Sequence, residues 1–153
     1  MHNTRNVDAL GRTLVDMMSF FASPQRDDAL LREAGVELDR ALFPLLVRLG
    51  MQGPLGVAEL ADQVGRDHTT VSRQLAKLET LKLVVRPDSS DDRRRRVAQL
   101  TAAGRRIVQA IVSARRRLLT QALASWSDKD LAALADLNRR FADTLDAFAQ
   151  ARG

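Results

Sequence analysis

The sequence predicts a mainly α-helical protein with one small β-hairpin, in which a central domain lies between N- and C-terminal helices. Apolar residues recur at helical spacing along most of the 153-residue chain. Two short apolar or alternating segments, 83–86 and 95–100, flank a stretch of turn composition. Residues 66–106 carry 11 Lys and Arg against 5 Asp and Glu, although the whole chain has a net charge of only +5. The positive charge is therefore concentrated in one segment.

The N-terminal part of the chain predicts three helices. In the first, the apolar residues are spaced 3, 4, 3 and 4 apart, as in an amphipathic helix. Ser23 and Pro24 are typical of an N-cap and a first helical position, so a second helix should run to Ala34 and end at Gly35. A third is expected over residues 37–49, where Pro44 would kink it or shift its start. The seam of the first helix consists of Val7, Leu10, Leu14, Met17 and Phe21.

The middle of the chain predicts two short helices and then the hairpin. Residues 50–54 have turn composition. A helix over residues 57–64 should end at Gly65, and the next should run over residues 68–81. The two β-prone segments after it would pair as a hairpin, with a cluster of arginines at its tip and on its returning strand.

The C-terminal part predicts two long helices. Thr101 is the expected N-cap of the first, which should extend to about residue 125. Ser127 and Asp130 resemble a capping box at the start of the second, with Asp in place of the usual Glu. The apolar seam of this last helix consists of Leu134, Leu137, Phe141, Leu145 and Phe148.

Composition and motif content exclude several classes of function. The chain has no cysteine, so disulfides, thiol redox sensing, cysteine-based zinc sites and cysteine nucleophiles are absent. The two histidines, His2 and His68, lie apart, and no phosphate loop, metal-ligand cluster or catalytic triad stands out. We therefore expect no enzyme, no metal and no cofactor. No signal peptide and no apolar run long enough to span a bilayer are seen, so a cytoplasmic protein without membrane contact is expected.

Three residues have the spacing of a helix-turn-helix. Ala61 is small enough to let the second helix approach the first, Gly65 permits a left-handed turn, and Val71 anchors the second helix in the core. This triplet alone is a weak signal, because it arises often by chance. The basic hairpin that follows immediately strengthens it and indicates a winged helix-turn-helix.

The outer face of the second helix suits the major groove of DNA. On a helical wheel, Thr69, Arg73 and Ala76 point away from the apolar face. Arginine can bind guanine through two hydrogen bonds, and the small residues permit close approach. The alternative is an ordinary polar helix face. The predicted DNA-contacting residues of this helix are Thr69, Thr70, Ser72, Arg73 and Lys77.

The hairpin carries the second predicted DNA contact. Four consecutive arginines repel one another in isolation, whereas beside a minor groove they would neutralise phosphates. Asp92, and Asp91 before it, would orient an arginine rather than face the DNA. Alternation puts Val97 on one face of the strand and Ala98 on the other, so the base of the wing should be half buried. The predicted wing residues are Arg93, Arg94, Arg95 and Arg96.

The stretches "VAELADQVGRDHTTVSRQLAKLE" and "DDRRRRVAQLTAAGRR" resemble the MarR family of bacterial transcription regulators. The family's wing pattern maps onto Asp92, Arg94, Leu100 and Thr101, and the close match extends over about residues 39–106.

The resemblance implies a homodimer in which residues 1–36 and 104–153 form a helical dimerisation region. Residues 37–103 would form the winged DNA-binding domain. The two domains would bind successive turns of a pseudo-palindromic operator in double-stranded DNA, and in the cell the protein would be associated with the nucleoid. The alternative for the terminal helices is that they pack within one chain.

The resemblance also implies a repressor that a small aromatic or phenolic effector releases from DNA. The family commonly has Gly in the run after the second helix, where this chain has Lys82 within "LETLKLV". If the backbone is left-handed there, Lys costs about 1 kcal/mol relative to Gly. The candidate contacts of the effector are Phe20, Phe21, Phe43, Leu46 and Arg48. The alternative role of each of them is plain core packing.

Two other functions use the same architecture. A winged domain can serve only protein–protein contacts, in which case DNA affinity with a steep salt dependence would be absent. A sequence-blind architectural protein would bind scrambled DNA as tightly as its own promoter region, whereas a repressor would show a gap of several kcal/mol.

Overall fold

The computed structural model describes residues 3–87 and 97–153. The chain divides into two compact units, Met1–Arg115 and Arg116–Gly153. The described residues form helices and three short strands, and this mainly α architecture with a small antiparallel sheet is the predicted fold class. The helices are α1 (Thr4–Phe21), α2 (Pro24–Ala34), α3 (Phe43–Gln52), α4 (Val57–Val64), α5 (His68–Thr80), α6 (Ala102–Ala122) and α7 (Asp128–Gln150).

The sheet has the strand order β1-β3-β2, and both pairs are antiparallel. Strand β1 is Leu55–Gly56, β2 is Val84–Val85 and β3 is Val97–Leu100. The pairing of β2 with β3 confirms the predicted hairpin, with Val84 opposite Leu100. Ala98 is fully buried and Val97 only partly, as the alternation predicts.

Local sequence signals account for several helix ends. Gly35 and Gly65 adopt the left-handed conformation, with φ of 66° and 65°, and end α2 and α4 as predicted. Ser127 caps α7 by accepting a hydrogen bond from the backbone N–H of Asp130. Ser23 is the N-cap of α2, but its hydroxyl donates to the Gln25 side chain instead of capping the backbone.

Pro44 shifts the start of α3, which is one of the two effects expected from the sequence. The helix begins at Phe43 instead of residue 37, because Pro44 is tolerated only in the first turn of a helix. Residues 50–52 belong to α3 instead of forming a turn, and the helix ends at Gly53 with φ of 81°. Strand β1 was not anticipated, because two residues after Gly-Pro show no alternation and are defined by their pairing with β3.

The main core lies where α3, α4, α5 and the sheet meet. One face of α5, formed by Val71, Leu75 and Leu78, is fully buried in it. A smaller cluster joins Leu31 of α2, Phe43 of α3 and Ile111 of α6. Burial on the inner face of α5 leaves its outer face for solvent. The main core also contains Leu42, Leu45, Leu46, Leu49, Leu55, Leu60, Ala61, Leu83, Val84, Ala98 and Val108.

The base of the hairpin is tied to the start of α6. The Thr101 hydroxyl donates to the Lys82 carbonyl oxygen at 2.7 Å and accepts from the Gly104 N–H at 3.0 Å. A Cβ on Gly104 would collide with the Leu83 carbonyl oxygen, so only glycine fits. Lys82 has φ of 59°, and it is the non-glycine residue with positive φ among residues 3–87 and 97–153. The left-handed turn considered from the sequence is therefore present.

Arg66 joins the turn of the helix-turn-helix to the segment before α3. Its Nη1 donates to the Ala41 carbonyl oxygen at 2.6 Å and to Gln74 Oε1 at 2.9 Å. The side chain is partly buried between these partners. Arg66 therefore stabilises the fold, although it belongs to the basic stretch of the sequence.

Replacing Lys82 by Gly is expected to raise the free energy of unfolding by about 1 kcal/mol, because glycine adopts positive φ without a steric penalty. Urea unfolding monitored by far-UV circular dichroism measures the change. Lys129→Gly, a helical position near the start of α7, is the matched control and should be destabilising. If the Lys82→Gly variant is less stable than the native protein, the positive φ of Lys82 does not strain the backbone.

Replacing Arg66 by Lys is expected to lower the free energy of unfolding by about 1–3 kcal/mol, because the lysine ammonium lies about one bond short of the position of Nη1, which makes both hydrogen bonds, and is more strongly hydrated. Arg73→Lys makes the same chemical change at an exposed position of α5 and should stay within about 0.5 kcal/mol of the native protein. Equal losses in the two variants, measured by urea unfolding, would show that the Arg66 bonds do not stabilise the fold.

Candidate nucleic-acid interface

Helices α4 and α5 form the helix-turn-helix. Ala61 is buried where the helices pack, and its carbonyl oxygen accepts the Arg66 N–H at 3.0 Å across the turn. The left-handed Gly65 redirects the chain into α5. Val71, fully buried, fixes the rotation of α5 about its own axis. This rotation decides which side chains of α5 face outward.

The outward face of α5 has the composition expected from the helical wheel. Thr69, Arg73 and Lys77 are exposed, and Ser72 and Thr70 are partly exposed. Ala76 is also exposed and adds no bulk between Arg73 and Lys77. The structure thus brings the five predicted residues of this helix together on one side, where guanidinium, ammonium and hydroxyl groups are accessible.

The N-terminus of α5 is capped by Asp67, which the sequence analysis had not singled out. Its carboxylate accepts the Thr70 N–H at 2.8 Å and the Thr70 hydroxyl at 2.6 Å. The Thr70 hydroxyl, then its N–H, lowers the pKa of Asp67 below its usual range. Because the hydroxyl proton of Thr70 is used by Asp67, its oxygen is left as a hydrogen-bond acceptor. In the sequence, an Asp at position 67 followed by Thr at position 70 is the signal that could have predicted this N-cap.

Lys77 is paired with an acidic residue from a distant part of the chain. Its Nζ lies 3.7 Å from Asp39 Oδ2, and both side chains are about half exposed. The Ala41 N–H and then the nearby Lys77 and Arg40 lower the pKa of Asp39 against the effect of burial. The pair lines a cleft of about 270 Å³ together with Thr70, Arg73 and Gln74. This cleft borders the outward face of α5.

The predicted wing residues lie outside the described residues. They are Arg93, Arg94, Arg95, Arg96 and the orienting residue Asp92. The described base of the wing, β2 and β3, extends from the end of α5 and returns to α6. The arginines therefore follow β2 and precede β3 in the chain.

The candidate effector contacts lie in different environments. Leu46 is fully buried in the main core, and Phe43 is buried in the smaller cluster. Phe20 and Phe21, at the end of α1, are 47% and 64% exposed and pack edge to face on each other. The Arg26 guanidinium lies 3.4 Å from the centre of the Phe20 ring. Arg48 is partly exposed on α3.

Helices α1 and α7 each present an apolar face to solvent. Neither contains a buried residue. In α1, Val7 is 54% exposed, and in α7, Leu137 is 61% and Phe148 57% exposed. Each helix therefore has an apolar stripe that its own unit does not cover.

The described helices include none that is long and apolar enough to cross a membrane. In residues 3–87 and 97–153, no cluster of histidine and carboxylate side chains could hold a metal ion.

Comparison with known proteins identifies the family. A sequence model of the MarR family matches residues 38–95. The HTH-type transcriptional regulator YxaD of Bacillus subtilis is 32% identical over 103 residues, which cover 67% of this chain and 72% of YxaD.

Solved structures show the same fold. A MarR family protein from Bacillus stearothermophilus is 23% identical and superimposes with a TM-score of 0.78 over 95% of this chain and 99% of its own. A putative MarR family regulator from Listeria monocytogenes, solved in complex with a 26mer DNA, is 18% identical. It superimposes with a TM-score of 0.62 over 95% of this chain and 89% of its own. With its helix-turn-helix and basic wing sequence, this chain belongs to the MarR family of transcriptional regulators.

Proposed function

We propose that this regulator is a homodimeric, sequence-specific DNA-binding repressor that a small effector releases from a pseudo-palindromic operator. One observation carries the proposal. The inner face of α5 is fully buried, while its outer face exposes Thr69, Arg73 and Lys77. A helix anchored in this way can present fixed side chains to the major groove without adjusting its own position.

The residues of the interface have separate roles in this mechanism. Arg73 binds guanine O6 and N7 through its two guanidinium nitrogens and provides base preference. Thr69 and Ser72 contact base edges or phosphates, Thr70 accepts a hydrogen bond, and Lys77 binds phosphate. The wing arginines 93–96, oriented by Asp92, neutralise phosphates beside the adjacent minor groove. The Listeria relative was solved in complex with a 26mer DNA, which supports DNA binding by this fold.

The exposed apolar faces of α1 and α7 support a homodimer. Residues 1–36 and 104–153 would form the dimerisation region, and residues 37–103 the winged domain. A second copy that covers side chains such as Leu137 and Phe148 would remove their apolar surface from water. Burial of this surface would stabilise the dimer by about 25 cal/mol per Å². Two-fold symmetry would then place the two α5 helices about 34 Å apart along the DNA.

The candidate effector contacts combine exposed aromatic rings with one cationic side chain. Phe20 and Phe21 are accessible to an aromatic ligand, and Arg48 is a cation that could bind an anionic group. Phe43 and Leu46 are buried and would contribute only if the ligand opened the core beside them. A small aromatic or phenolic compound fits this combination of aromatic and cationic groups.

DNA binding is tested with the purified protein, a fragment of its own upstream region and a scrambled fragment, at two salt concentrations. We expect preference for the native fragment and a steep loss of affinity with salt. Arg73→Ala should reduce the preference between fragments by about 1–3 kcal/mol. Arg94→Ala should weaken binding to both evenly and reduce the salt slope by about 1.

The same titrations separate this function from its alternatives. Equal binding to both fragments would favour an architectural role or a distant operator, and no binding to either would favour a winged domain that serves protein–protein contacts. An unchanged affinity and slope in Arg94→Ala would contradict the assignment of the wing.

Replacing Leu137 by Asp is expected to convert the dimer to a monomer and weaken operator binding, because a carboxylate would be buried at the interface. Analytical ultracentrifugation measures the mass, and Ala132→Asp, on the opposite face of α7, is the matched control. A native protein that is monomeric at micromolar concentration would contradict the proposed assembly.

A further inference from the structure

The pair formed by Lys77 and Asp39 joins the outward face of α5 to the chain segment that precedes α3. Asp39 lies in the segment between α2 and α3, and Lys77 lies on the outward side of α5. Their charged atoms are 3.7 Å apart, and the side chains of Lys77 and Asp39 are 59% and 51% exposed. An exposed pair of this kind adds little to fold stability. Its main effect is therefore on the charge that α5 presents to a ligand.

Asp39 is held in place independently of Lys77. Its Oδ1 accepts the Ala41 N–H at 2.9 Å, and its backbone carbonyl oxygen accepts the Leu42 N–H at 2.9 Å. This turn leads directly into α3, whose first residues are buried in the core. The carboxylate consequently remains beside α5 when Lys77 moves.

We propose that Asp39 competes with DNA phosphate for Lys77 and thereby lowers the sequence-independent part of the affinity for DNA. This inference rests on the proposed function, because it concerns the same face of α5. It assigns a role to a residue outside both the helix-turn-helix and the wing.

The competition follows from the position of the two charges. To bind phosphate, Lys77 must move away from the Asp39 carboxylate, which lies 3.7 Å from its Nζ. That carboxylate then remains close to the DNA backbone and repels it. Both effects weaken binding to any sequence, because phosphates are the same in every sequence. Arg73 lines the same cleft but contacts bases in the proposed complex, so base preference should be unaffected.

Asp39→Asn removes the charge and keeps a side-chain oxygen that can accept the Ala41 N–H. The matched control is Asp28→Asn. Asp28 is on α2, its side chain is 50% exposed, and it lies 3.5 Å from Arg40, so the control also removes one negative charge and one ion pair. Lys77→Gln, alone and combined with Asp39→Asn, tests whether the effect depends on Lys77.

We expect Asp39→Asn to bind both the native and the scrambled fragment about two- to fivefold more tightly for each α5 helix that engages DNA. The salt slope should rise by up to about 0.9 for each lysine that gains a phosphate. Asp28→Asn should bind as the native protein does. In the Lys77→Gln background, Asp39→Asn should add nothing.

Four results would overturn the inference. They are an unchanged affinity in Asp39→Asn, a gain confined to the native fragment, an equal gain in Asp28→Asn, or a gain that persists without Lys77. In each case the native protein still binds its fragment, so the proposed function survives. No DNA binding by the native protein would overturn both. Thermal melts verify folding, and Asp39→Ser, whose hydroxyl can also accept the Ala41 N–H, replaces Asp39→Asn if that variant does not fold.

Discussion

The close approach of Gly104 to the Leu83 carbonyl oxygen determines how α5, strands β2 and β3, and the start of α6 are arranged. Because no Cβ intervenes, the first turn of α6 lies directly against the chain that leaves α5. Thr101 reinforces the contact through its bonds to Lys82 and Gly104. A displacement of this first turn would therefore move the base of the wing and the end of α5 together, because neither can shift without breaking these contacts.

Much of the fold could be predicted because its signals are local. Gly35, Gly65 and Ser127 specify helix ends through their own backbone or side-chain chemistry, and the alternation of Val97 and Ala98 specifies a half-buried strand. Local signals did not determine the residue at which α3 begins, and they did not predict strand β1, for a common reason. The first depends on how the segment before Pro44 packs, and the second on a partner strand about forty residues away.

The outward face of α5 was predictable from periodicity, but its charge was not. The sequence counts Arg66 and Lys77 as equal members of one basic stretch. In the structure, Arg66 is used internally by Ala41 and Gln74, and Lys77 is shared with Asp39. These three partners come from residues 39–41 or from α5 itself, and no spacing rule in the sequence connects them to Arg66 and Lys77. The positive charge that remains unpaired on this surface is consequently smaller than the composition suggests.

The apolar stripes of α1 and α7 have an energetic consequence for the whole protein. Most of the stability of a protein helix comes from the packing of its apolar face, and α7 extends over 23 residues without one buried residue. If a second copy supplies that packing, the stability of α7 depends on protein concentration through mass action.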